Sequence, residues 1–124
     1  MMFEGTWRSA TGAEIRLWQF GEAVSGTYEA GPTEMPMPHR GRILVGTAEG
    51  DLIGFVTASV PPHGIRSWAG RLYPSEAGKG PEIHLMCQAV GRRVSRSAFS
   101  KSVALETVVF SLVDAEQAKD TPPH

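Results

Sequence analysis

The feature that most constrains this chain is its punctuation. Every apolar stretch is short, alternates with a period of two, and meets a turn signal before a helix could form. Residues 5–9 form one such stretch, ended by Thr11-Gly12. Residues 13–20 set Ala13, Ile15 and Leu17 against Glu14 and Arg16, the pattern of a half-buried strand, and Gly21-Glu22 turns the chain into residues 23–30. Residues 42–48 and 52–60 read as a hairpin around Glu49-Gly50-Asp51, and further strands follow at 65–73, 82–90 and 104–113. The segments 31–40 and 61–64 are rich in proline and lack any period, so they read as loops.

This spacing predicts eight strands with no helix-length segment among them. Strands joined so closely pair antiparallel, because parallel pairing needs a crossover of about a dozen residues or more. Eight up-and-down strands can close into a barrel that leaves no unpaired edge and holds side chains plus one small ligand. Composition agrees. The chain has 14 Gly and 9 Pro to break it, and its 10 Val, 5 Ile and 8 Thr outnumber 7 Leu. The expected architecture is all-β, an eight-stranded antiparallel up-and-down barrel, with one domain over residues 1–113 and a flexible polar tail at 114–124.

Other features narrow the function. With 12 Lys and Arg against 13 Asp and Glu, the net charge of -1 offers no global field for nucleic acid or an anionic membrane. No run approaches the ~18 apolar residues of a membrane-spanning helix. The opening Met1-Met2-Phe3-Glu4 carries no signal peptide, which leaves a cytoplasmic protein or a mature secreted form equally open. A lone Cys87 excludes an internal disulfide and a multi-cysteine zinc site. There is no Walker loop, dinucleotide fingerprint, zincin helix or nucleophile elbow, so no linear signature of catalysis is present. Neither a metal nor a redox cofactor is called for. Residues 52–60 and 108–113 are apolar on both faces, which points to an outer cover, best supplied by another subunit, with a locally apolar surface as the alternative.

Taken in order, Gly5-Thr6-Trp7, the turn at Gly12, Ser25-Gly26-Thr27-Tyr28-Glu29, Gly54-Phe55 and Ser67-Trp68-Ala69-Gly70 resemble the avidin/streptavidin family, over residues 5–113. The resemblance implies a non-enzymatic barrel that binds biotin at one open end and assembles as a tetramer or dimer. It places Tyr28 where the family has a tyrosine donor to the ureido oxygen and Trp68 on an aromatic wall. Ser9 stands at an asparagine that helps bind the same oxygen. Phe99 lies near the tryptophan that a neighbouring subunit lends over the ligand. Several positions depart from the pattern. Ala13 and Ala30 replace serines, Ser59 and Cys87 replace wall tryptophans, and Val108 replaces an aspartate that accepts from a ureido nitrogen. Gly64 and Arg66 replace small hydroxyl residues. Each unsatisfied buried polar group costs about 1–3 kcal/mol, so the resemblance implies weakened biotin binding.

The residues themselves leave alternatives open. Trp68 and Tyr28 can fill the core or face a ligand. Arg66, two residues before Trp68 on one strand face, can reach out to water or hold an anion. His39, His63, His84 and His124 are scattered, and a metal at the barrel rim competes with simple solvation. Cys87 lies in an apolar run and reads as a small buried hydrophobe. The basic run at 91–101 fits a solvated loop better than a nucleic-acid contact. The expected ligand contacts are therefore Ser9, Tyr28, Ser59, Arg66, Trp68, Cys87, Phe99 and Val108. The competing reading is a barrel that has lost biotin binding and serves as an oligomeric interaction module or binds another small anion.

Overall fold

The computed structural model describes residues 2–31, 42–58, 65–90 and 103–114. Eight strands follow in chain order: β1 (Gly5–Ser9), β2 (Glu14–Phe20), β3 (Ala23–Glu29), β4 (Arg42–Glu49), β5 (Leu52–Ala58), β6 (Ile65–Tyr73), β7 (Glu82–Val90) and β8 (Val103–Asp114). Each pairs antiparallel with its neighbour in sequence, and β8 closes on β1 to complete the barrel. The period-2 pattern decides which way the side chains face. On β2 the buried Ile15 and Leu17 alternate with half-buried Glu14 and Arg16; on β3 Val24, Gly26 and Tyr28 point inward.

The strand boundaries fall close to those expected. Ala13 is the exception that matters: it lies outside β2, because its backbone is taken up by the β1–β2 turn. Its carbonyl accepts from the Ser9 amide at 2.8 Å and its own amide donates to Ser9 Oγ at 3.1 Å. β5 is described as far as Ala58, and residues 59–60 of its expected length lie outside the described residues. β8 runs through Asp114, the first residue of the expected tail, and the rest of that tail lies outside the described residues.

The two ends of the barrel differ. The connections at Gly21-Glu22, at Gly50-Asp51 and over residues 74–81 all lie at one end. There Phe3 plugs the interior. It is fully buried, its carbonyl accepts from Trp7 Nε1 at 2.9 Å, and its amide donates to Gln19 Oε1 at 2.9 Å. Burying such a side chain contributes about 1.5–3 kcal/mol. Leu17, Val24, Leu44, Ile53, Ile83 and Leu85 join the same core. The connections over 10–13, 30–41, 59–64 and 91–102 leave from the opposite end, which the sequence loads with the longer loops.

Two inward glycines let neighbouring strands curve against each other. A Cβ on Gly26 would overlap the carbonyl oxygen of Arg16, and one on Gly70 would overlap that of His84. Only glycine allows such a close backbone approach.

Outside the barrel, Val45, Val56, Met86 and Leu105 are exposed. The two-faced pattern read from residues 52–60 is therefore real on β5, where Ile53 and Phe55 are buried while Leu52 and Val56 face outward. On β8 the outward side is mixed, with Val113 exposed, Val109 half-buried and Ser111 between them.

Candidate ligand cavity

At the end carrying the longer connections the barrel interior opens into a cavity of about 480 Å³. That volume lies within the range of ordinary small-molecule sites. Its wall is built from the ends of β1, β3 and β6, the middle of β8 and the β1–β2 turn. Ser9, Ala10, Thr11 and Ala13 come from β1 and the turn, Tyr28 from β3, Arg66 and Trp68 from β6, and residues 106–110 from β8.

Trp68 stands between cavity and core. It lines the cavity while its ring stacks on Phe55 at 5.6 Å and meets Tyr28 at 5.4 Å and Phe110 at 6.2 Å. The core and ligand-wall readings of this residue are therefore compatible. Its indole N–H is buried and donates to Thr57 Oγ1 at 3.1 Å. Thr57 faces inward on β5 and is 1% exposed.

Ser9, Thr11, Tyr28, Arg66, Glu106 and Thr107 supply the polar groups of the wall. Ser9 is buried, and its hydroxyl accepts from the Ala13 amide and lies 3.0 Å from Thr11 Oγ1, so it is engaged in shaping the turn. Arg66 is half-buried, and its Nη1 donates to the Tyr28 hydroxyl at 3.4 Å. The two residues come from strands that are not neighbours, yet the barrel's curvature brings their tips together. Val108 presents a half-buried apolar surface. Glu106, two residues earlier on the same strand, lines the cavity as an exposed carboxylate.

Of the expected contacts, Ser9, Tyr28, Arg66, Trp68 and Val108 thus share one cavity wall. Cys87 is 1% exposed and pairs across the sheet with Trp68, within the core and off the cavity lining. Ser59 and Phe99 lie outside the described residues, as do His39, His63, His124 and the basic run at 91–101. His84 is on the outer face, 4.5 Å from the Tyr73 ring and 3.0 Å from Glu82 Oε1. Among the described residues no three metal-ligating side chains come together, and no helix is long and apolar enough to cross a membrane.

Sequence reasoning passed over Thr57 and Glu106. The signal for Glu106 was present, since residues 106, 108 and 110 share one strand face. Thr57 becomes a partner of Trp68 only through the β5–β6 register, which no periodicity specifies.

No family model matches the chain, and no curated protein matches it significantly in sequence. Solved structures do match it. Xenavidin superposes with a TM-score of 0.75 at 18% identity, covering 90% of this chain and 97% of its own. A biotin-binding protein from chicken gives 0.75 at 19% identity, covering 89% of this chain and 94% of its own. The rhizavidin–biotin complex gives 0.69 at 17% identity, covering 91% and 94%. At these identities the likeness is one of fold: the closed eight-stranded barrel is avidin-like, as the resemblance in the sequence implied.

Proposed function

We propose that this protein is a non-enzymatic binder of a small molecule, held at the open end of the barrel, with biotin or a biotin-like molecule bound more weakly than by a complete avidin site. The observation that carries this reading is the cavity itself. Among the described residues, the packed barrel opens at the end carrying the longer connections into a space walled by Trp68, Tyr28 and Phe110, in the fold of proteins whose names record biotin. Among the described residues, nothing in that wall is arranged as a nucleophile with a base, which supports binding over turnover.

The weakening has a physical source. Ala13 and Val108 sit on the cavity wall where the resemblance calls for a hydroxyl and a carboxylate, and neither can bond a ureido group. Two such losses together cost about 2–6 kcal/mol. Titration calorimetry with biotin tests the reading. The unmodified protein is expected to bind weakly, and Ala13→Ser combined with Val108→Asp is expected to tighten binding by about 2 kcal/mol or more. Tight binding by the unmodified protein, or no heat from either protein, would overturn it.

The exposed apolar residues on the outside of β4 to β8 support a second element of the proposal, that the barrel works as a homo-oligomer.

A further inference from the structure

The cavity wall holds a positive charge that a neutral ureido group does not call for. Arg66 and Trp68 are two residues apart on β6 and face the same way, so both side chains line the same wall. Its Nη1 reaches the Tyr28 hydroxyl at 3.4 Å. No ion pair joins Arg66 to a carboxylate among the described residues. A guanidinium is permanently charged, and a bond to a neutral phenol leaves that charge uncompensated. It has five N–H donors in a fixed fork, of which the phenol engages one.

The neighbouring substitutions act in the same direction. Val108 puts an apolar surface where the resemblance expects an aspartate, which removes a negative charge that would repel an anion from this wall. Glu106 keeps a carboxylate at the cavity wall, but it is exposed, where water and salt screen it. The half-buried cation has gained influence while the half-buried anion is gone. Trp68, Phe110, Val108 and Ala13 supply apolar surface on the same wall, beside the hydroxyl residues Ser9, Thr11 and Thr107.

We propose that Arg66, held by Tyr28, is an anion seat, and that the cavity takes a carboxylate carried on an aromatic or alkyl body. This rests on the small-ligand reading and deepens it by naming the ligand class. The Arg66 fork binds the carboxylate through two parallel N–H···O bonds, and the apolar body lies against Trp68 and Phe110. Tyr28 is the positioning residue, fixing how far the guanidinium reaches. The polarity is then opposite to that of a ureido site: the Tyr28 corner receives a charged group in place of a neutral one.

The experiment titrates naphthoate and naphthamide, which share a body and differ in charge, into the unmodified protein, Arg66→Gln and Tyr28→Phe, with biotin titrated in parallel. Arg66 is half-buried at the rim, so melting curves serve to show that both variants keep the fold. The unmodified protein is expected to prefer naphthoate by about tenfold or more, the worth of a charge-assisted pair. Arg66→Gln is expected to abolish that preference while changing naphthamide affinity by less than about twofold, and Tyr28→Phe to reduce the preference partway. Equal losses for acid and amide, or an unmodified protein that binds both alike, would overturn the anion seat and leave the small-ligand reading standing. If neither probe nor biotin binds, both fall together.

Discussion

Trp68 shows how one side chain can serve two regions at once. Its ring lies against Phe55 on the core side and borders the cavity near Tyr28, while its N–H is satisfied by Thr57. The arrangement makes Thr57 a support for the cavity wall although it is not part of it. Thr57→Val keeps the shape and removes the acceptor, leaving a buried indole N–H without its partner. The expected cost is about 1–3 kcal/mol of stability, read from the denaturant midpoint. An unchanged midpoint would show that the hydrogen bond contributes nothing net. Residues at this scale were unevenly legible. The shared face of Arg66 and Trp68 follows from a spacing of two, so their common wall could be read directly. The meeting of Arg66 with Tyr28 could not, because it depends on curvature across β4 and β5, which separate β3 from β6.

Strands were the most legible level, because alternation and turn residues act locally. Ile15 and Leu17 announce their face within five residues, and Gly50 marks the β4–β5 turn without reference to the rest of the chain. Closure was legible only as a possibility. The pairing of β8 with β1 joins the two ends of the sequence, and its register is broken between Thr6 and Trp7 in a way no local pattern encodes. Curvature likewise depends on single positions inside strands. Gly70 occupies an inward position of β6 where the chain passes so close to β7 that a Cβ would meet the His84 carbonyl. From sequence alone this glycine looks like a weak point in a strand; in the barrel it permits the bend. Gly70→Ala is expected to destabilise by about 1–3 kcal/mol, since the overlap is with backbone that cannot rotate away. The same substitution at Gly21, where nothing lies within 4 Å of the added Cβ, avoids a clash and serves as the comparison, its positive φ of 61° being the only source of strain there. A smaller loss at Gly70 than at Gly21 would contradict the role assigned to the close approach.

The whole molecule poses a question that the barrel alone leaves open, namely what covers its outside. Across β4 to β8 the register lines up Val45, Val56, Ser67, Gln88 and Leu105 in one outward row, and Thr47, Gly54, Ala69, Met86 and Thr107 in the next. Val45 is 59% exposed, Met86 56% and Leu105 64%. The second row is rich in small residues and forms the bed of a shallow groove of about 590 Å³. A surface that pairs protruding apolar side chains with a shallow recess has the shape needed to meet a copy of itself. Neither row carries a charged side chain, so self-association meets no like-charge repulsion within them. The two-faced pattern of β5 is the part of this surface legible in the sequence. The contribution of β4 and β7 was hidden, because each has ordinary alternation and becomes part of a patch only when the register places Val45 beside Val56 and Met86 beside Ala69. We expect light scattering at micromolar concentration to give a mass at least twice the 13.4 kDa of one chain. We expect Val56→Glu with Met86→Glu to return it to one chain's mass with the strand signal in circular dichroism intact. The substituted side chains point away from the core, so loss of the fold is not the expected route to dissociation. An unmodified protein that scatters as a single chain would mean that this face stays in water, and that its exposed valines and leucine belong to the surface of a monomer.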